Sequence, residues 1–182
     1  MFSHILDDDT KLRLLTERNA KEMHALTQSN LNYLSEWMPW PDPSRTVGDT
    51  REFIRESARR NRDDDGFIAG IWHMGRLAGV IGYHGIDRPD RSTSIGYWLA
   101  AGYQGKGLMT GACRVLADHA FNELGLNRVE IRCATGNIKS RAIPERLGFT
   151  NEGTLRQVQW LHDRFVDLVV YGMLAQEWER RG

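Results

Sequence analysis

The 182-residue chain carries no net charge, because 24 lysines and arginines stand against 24 aspartates and glutamates. That balance excludes a general cationic field for nucleic acid or an anionic membrane surface, so an anionic ligand has to be held by local features. Cysteine is scarce. Cys113 and Cys133 fall in an expected helix and an expected strand, which fits two reduced, buried thiols rather than a disulfide or a metal pair. No His/Cys cluster has zinc spacing. No apolar run is long enough to span a bilayer. Met1 to Leu15 is broken by Asp7-Asp8-Asp9 and lacks the apolar region of a signal peptide, so the expected compartment is the cytoplasm. Repeats, low-complexity tracts and long linkers are also missing. The length suits a single domain, residues 1–182, with a sizeable core.

The pattern that is present changes period along the chain. A strand is expected over Lys11–Leu15, then a helix from Glu17 carrying Met23 and Leu26, and a short helix over Leu31–Trp37. The corner Pro39-Trp40-Pro41-Asp42-Pro43 ends that helix, since proline removes a donor and restricts the residue before it. A further helix over Val47–Arg62 is expected to turn Phe53 and Ile54 inward. Phe67–His73, Leu77–His84 and Thr93–Leu99 read as antiparallel strands joined by Met74-Gly75-Arg76 and Asp87-Arg88-Pro89-Asp90. A helix from Leu108 to about Glu123 leads to a strand over Arg128–Ala134, a crossover that makes these last strands parallel. Asn137 caps a helix over Lys139–Leu147, and Thr154–Leu161 with Phe165–Leu174 close the chain as a hairpin. The expected fold is α/β (α+β), with a mixed, mostly antiparallel, twisted sheet of about seven strands and helices on both faces.

The stretch Ser94-Ile95-Gly96-Tyr97-Trp98-Leu99-Ala100-Ala101-Gly102-Tyr103-Gln104-Gly105-Lys106-Gly107-Leu108-Met109-Thr110 carries most information. An apolar strand enters a glycine-spaced turn that opens a helix, and the first N–H groups of a helix make an anion site. Taken alone, Gly105-Lys106-Gly107 fits a tight connection as well as a phosphate site. No Gly-Lys-Ser/Thr follows, so it is not a P-loop, and Thr110 stands where a dinucleotide fingerprint needs a small residue.

Together with Gly96-Tyr97-Trp98-Leu99, Gln104-Gly105-Lys106-Gly107, Asn137-Ile138-Lys139-Ser140-Arg141-Ala142 and Leu147-Gly148-Phe149, this stretch resembles the GCN5-related N-acetyltransferases. Within them it is similar to the branch that acetylates the N-terminal serine of ribosomal proteins, to which Trp37-Met38-Pro39-Trp40 also fits. The loop signature is Arg/Gln-x-x-Gly-x-Gly/Ala. Gln104 and Gly107 match it, and Met109 departs from the last small position. The resemblance implies acetyl-CoA as donor and no metal. Its pyrophosphate would lie on Gln104, Gly105, Lys106, Gly107, Leu108, Met109 and Thr110. Its pantetheine arm would lie along Tyr97, Trp98 and Leu99, where two central parallel strands splay, with Asn137 on the arm.

The same resemblance frames the chemistry. A neutral amine attacks the thioester. An α-amino group with a pKa of about 8 needs only a weak base. The Leu99 backbone N–H is the expected oxyanion donor. Relatives place a tyrosine acid seven residues after the asparagine, where this chain has Pro144, so Ser140 takes over at the departing thiolate. Pro144 also removes the helix bond to the Ser140 carbonyl. Gln159 stands where some relatives carry an acid, which leaves Glu130, His84 or a water chain as the proton acceptor. Trp37, Trp40, His84, Gln159 and Trp160 are the expected acceptor-side residues, with core packing as the alternative for the tryptophans. The acceptor is expected to be a protein N-terminus, with a polyamine or antibiotic amine as the alternative. A CoA-binding protein with little turnover is the remaining one. A homo-oligomer, and neither nucleic acid nor membrane, is the expected company.

Overall fold

The computed structural model describes residues 2–180, so Met1, Arg181 and Gly182 of the expected 1–182 domain lie outside the described residues. The strands are β1 (Ser3–Ile5), β2 (Thr10–Leu14), β3 (Ile68–His73), β4 (Arg76–Asp87), β5 (Ser92–Leu99), β6 (Arg128–Ala134), β7 (Thr150–Leu161) and β8 (Arg164–Leu174). They form one sheet in the order β1-β2-β3-β4-β5-β6-β8-β7. The helices are α1 (Ala20–Ser29), α2 (Leu31–Ser35), α3 (Val47–Arg62), α4 (Leu108–Asp118), α5 (Ile138–Arg146) and α6 (Ala175–Glu179). The sheet is thus mixed and mostly antiparallel, with eight strands rather than about seven. The extra one is β1, three exposed residues with no alternation to betray them.

Local chemistry explains the main boundaries. Met74 and Gly75 both have positive φ, 49° and 77°, so the β3–β4 hairpin is a two-residue turn of the type whose twist matches its strands. Thr46 and Asp49 exchange hydrogen bonds in a capping box that starts α3. His119–Glu123 continues α4 as a widened π turn, and the expected helical stretch to Glu123 is present in that form.

Apolar side chains cover both faces. Leu15, Met23, Leu34, Ile54, Trp72 and Val80 pack α1, α2 and α3 on one face, while α4 and α5 cover the other through Leu108, Leu116, Ile143 and Leu147. Phe53 departs from the expectation. Ile54 is buried, but Phe53 remains 40% exposed. Successive helical residues turn about 100°, and packing α3 through Ile54 and Ser57 leaves Phe53 at the edge of a cleft.

Among the described residues the only parallel pair, β5 with β6, positions the site. Its register runs from Ser92↔Arg128 to Ser94↔Glu130 and stops there. Beyond it β5 continues on β4 to Leu99, and β6 continues on β8 to Ala134. The sheet therefore opens between Ile95–Leu99 and Ile131–Ala134.

Candidate active site

Backbone direction along the opened edge follows from one bond. The Ala100 N–H donates to the Ala78 carbonyl at 2.9 Å. Antiparallel pairs alternate between bonded and non-bonded registers. With Leu99 opposite Gly79 and Tyr97 opposite Ile81, these two residues direct their N–H groups away from β4, into the gap. The following loop then turns into α4 with Gly105 at φ 75° and Gly107 at φ 76°, a region glycine enters without penalty. Gly107 is the N-cap of α4, and a Cβ at either glycine would meet nothing within 4 Å. The glycines thus serve backbone conformation and leave the space above the helix end clear. The first intrahelical bond comes from Gly111 N–H to the Gly107 carbonyl at 3.0 Å, so the N–H groups of Leu108, Met109 and Thr110 point outward without helical partners.

This edge borders a cavity of about 930 Å³. Gln104, Gly105, Gly107, Leu108, Met109, Thr110, Asn137 and Ser140, all candidates from the sequence, line it. Arg114, Lys139 and Arg146 line it too, and no carboxylate does among the described residues. Gln104 ties its rim together, donating to the Tyr33 hydroxyl and accepting from Lys139 Nζ at 3.1 Å. Lys106 does not line the cavity. Its ammonium lies over the Tyr103 ring, 5.7 Å from the centroid, rather than turned into the cavity.

Ser140 and Tyr97 line this cavity, with Cys133 against them. Asn137 Oδ1 accepts from the Ser140 N–H at 3.2 Å, capping α5 and leaving the Asn137 Nδ2 without a protein partner among the described residues. The Ser140 hydroxyl donates to Cys133 Sγ at 3.3 Å and lies 3.4 Å from the Tyr97 hydroxyl. Pro144 stands inside α5 and has no N–H for the Ser140 carbonyl. The Tyr97 hydroxyl supplies the missing donor at 3.1 Å. Burial, and then the Cys113 and Cys133 thiols, push the Tyr97 phenol well above its ordinary value, so it stays protonated and remains a donor.

A second cavity, about 820 Å³, opens on the other side of the same residues. Trp37, Trp40, His84 and Gln159 line it. Trp40 packs against Trp98 with the rings tilted by 49° and 5.9 Å between centroids. The tip of the β7–β8 hairpin holds this wall, because the His162 ring bonds the carbonyls of Ser35 and Met38 at 3.0 and 3.1 Å. A methyl group at Gly96 would collide with the His84 imidazole, so the glycine lets that ring lie on β5 beside Tyr97. His84 is solvent-exposed, yet partial desolvation by its neighbours, then Arg60 and Arg132, lower its pKa and favour the neutral form.

Glu130, the candidate proton acceptor, and Trp160, an expected acceptor-side residue, are elsewhere. Glu130 lines neither cavity. Arg128 bonds its carboxylate at 2.9 Å and Arg132 bonds it from the other side. Burial pushes this carboxyl up, but the two guanidiniums outweigh it and hold it below its ordinary value, which makes it a poor proton acceptor. Trp160 follows Gln159 on β7, and strand alternation sends it to the opposite side. There it packs on Phe165 at 4.8 Å and is 52% exposed.

Sequence reasoning missed Arg114, Arg146, Arg45, Arg60 and Arg132 as cavity residues. Arg114 carried a signal, being an exposed cation in the middle of a mostly apolar helix. The others are placed by packing between distant segments.

Known proteins extend this picture. The family model described as the acetyltransferase (GNAT) domain matches residues 10–150. The chain is 39% identical over 180 residues to YdaF of Bacillus subtilis (strain 168), whose name provisionally makes it a ribosomal N-acetyltransferase, and the match covers 98% of each protein. It is 27% identical over 169 residues to the ribosomal-protein-serine acetyltransferase of Escherichia coli (strain K12), covering 93% of this chain and 94% of that one. The structure of the microcin C7 self immunity acetyltransferase MccE, in complex with acetyl-CoA and AMP, shares the fold at a TM-score of 0.87. Its identity is 30%, over 93% of this chain and 94% of that one.

Proposed function

The chain belongs to the acetyltransferase (GNAT) family, and from that premise we propose that it acts as one domain to move an acetyl group from acetyl-CoA to the N-terminal amine of a protein. A ribosomal protein in the cytoplasm is the acceptor that the relatives' names favour. The observation that carries this reading is the meeting of the two cavities. Trp37, Met38, Tyr97, Trp98, Asn137 and Ser140 line both, so a donor in one and an amine in the other would face each other across the opened sheet.

The donor side fits acetyl-CoA on its own chemistry. Unpartnered N–H groups at the start of α4 and the cations of Arg114, Lys139 and Arg146 suit phosphates. The free backbone edge at Tyr97 and Leu99 suits the amides of a pantetheine arm. Acetyl-CoA supplies the activated acetyl group, and the protein's residues do the rest. The Leu99 N–H donates toward the carbonyl oxygen on which charge develops. The Ser140 hydroxyl turns from Cys133 to hydrogen-bond the leaving sulfur. Neutral His84, directly or through water, takes the proton that the attacking amine gives up. Both substrates are held at once, so transfer is direct and Cys133, a buried thiol whose pKa burial raises, stays out of the chemistry.

Thiol release from acetyl-CoA, followed with a chromogenic thiol reagent, tests this. An N-terminal serine peptide should stimulate it, and the same peptide with a blocked N-terminus should not. Release that ignores the free amine would refute the proposal.

A further inference from the structure

The acceptor cavity has an unusual charge pattern for an enzyme that must collect an ammonium-bearing substrate. Arg45, Arg60 and Arg132 line it, with His24 and His84, and Asp42 is its only carboxylate among the described residues. The three guanidiniums are not equally committed. Arg60 is used structurally, bonding Asp65 through Nε at 3.2 Å and two backbone carbonyls through Nη2. Arg132 gives only its Nε to Glu130. Its two terminal nitrogens have no protein partner, and no hydrogen bond or ion pair holds the side chain of Arg45 among the described residues. Asp42, the one acid present, is engaged by the Ser44 N–H and hydroxyl, both at 2.7 Å. Asp49, which also faces Arg45, accepts from Thr46 in the α3 cap.

Such a cleft repels a polyamine, whose second and third ammonium groups would meet arginines instead of carboxylates. It attracts an amine that carries negative charge a short distance behind it. The same cations disfavour the ammonium form of the acceptor amine, which helps a site that has no carboxylate base.

We propose that the acceptor is a peptide N-terminus followed within its first few residues by acidic side chains, and that Arg45 and Arg132 read those carboxylates. The inference rests on the acetyltransferase reading of the same site and adds the charge of the substrate.

Peptides with N-terminal serine and identical length, differing only in Glu, Gln or Lys at the second to fourth positions, test it at saturating acetyl-CoA. The Glu peptide should exceed the Gln peptide in kcat/KM by roughly three- to tenfold, the size of two partly exposed ion pairs, and the Lys peptide should be poorest. The preference should shrink in Arg45→Gln and in Arg132→Gln, vanish in the double variant, and fade in about 0.5 M salt. Binding of the same peptides to the enzyme with CoA, read by tryptophan fluorescence, should give the same order without turnover. Equal use of the three peptides, a preference for Lys, or a preference unchanged in the double variant would overturn the proposal while leaving peptide acetylation intact. Efficient use of spermidine, or of a seryl nucleotide in place of every peptide, would overturn it as well. No acetylation of any free amine would instead refute the transferase reading beneath it.

Discussion

Replacing Tyr97 by phenylalanine removes one oxygen and leaves the ring in place. That oxygen is the donor to the Ser140 carbonyl, 3.1 Å away, and Pro144 has abolished the carbonyl's usual helical donor. The variant therefore strands a half-buried acceptor, a loss of about 1–3 kcal/mol. For a chain of this size that lowers the melting temperature by roughly 2–12 °C. A second substitution separates this cause from generic damage. Pro144→Ala returns an N–H four residues after Ser140, which can bond the same carbonyl, so Tyr97→Phe should cost less than about 0.5 kcal/mol in that background. The double-mutant cycle, measured by urea unfolding, should yield a coupling of about 1 kcal/mol or more. The phenol is held protonated far above neutral pH by its burial, so the coupling should also be the same at pH 6 and pH 8. Equal costs of Tyr97→Phe with and without Pro144 would refute the reasoning, because the hydroxyl would then not be standing in for the missing helix bond.

Ser140→Ala should lower kcat about 10- to 100-fold, the worth of a hydrogen bond to a charged sulfur, with little change in KM for acetyl-CoA. Unchanged turnover would remove the serine from the mechanism. Gly107→Asp should keep the fold, since aspartate tolerates positive φ and is a good N-cap, yet its charge should weaken CoA binding by about tenfold or more where the pyrophosphate would lie. Stabilisation of this variant by CoA equal to that of the wild type would contradict the phosphate site. The lowered pKa of His84 means that its neutral form persists below the ordinary histidine value of 6.5. With saturating acceptor, the acid limb of kcat should lie below that value and disappear in His84→Gln, on a lower plateau. An identical pH profile in the variant would dismiss the ring as proton acceptor. His119, packed among Phe2, Phe67 and Tyr83, also has a lowered pKa from burial. The unfolded chain therefore binds protons more readily, and stability should fall as pH drops through the usual histidine range. A urea midpoint that does not move between pH 7.5 and 5.5 would contradict that account.

Features written in backbone requirements were legible in the sequence. Positive φ at Gly105 and Gly107, the Asn137 cap and the strand–loop–helix order each follow from what one residue type permits, and the structure has all three. Features that depend on which way a side chain leaves its element were not. Glu130 and Arg132 share a face of β6, yet only Arg132 reaches the acceptor cavity, because Arg128 and Arg132 hold Glu130 away from it. Trp160 is one residue from Gln159 and lies on the other side of the hairpin. The Lys106 ammonium lies over the Tyr103 ring and does not line the cavity. The arginines of both cavities come from α3, α4, α5, β6 and the loop before α3, and no local pattern links them.

Pro144 shows how the two kinds of information join. In the sequence it marks a missing tyrosine acid and an opened helical turn. In the structure a tyrosine hydroxyl is present after all, entering from β5, but it is spent on the carbonyl that the proline left open. That engagement assigns the roles. Tyr97 holds the backbone of Ser140 and cannot at the same time donate to a thiolate, whereas the Ser140 hydroxyl has only the weak acceptor Cys133 Sγ and a long 3.4 Å contact to the Tyr97 oxygen to give up. A stronger acceptor such as a leaving thiolate would draw the serine hydroxyl at little cost, so on the proposed mechanism Pro144 both takes the place of a tyrosine acid and leaves open the carbonyl through which Tyr97 anchors Ser140.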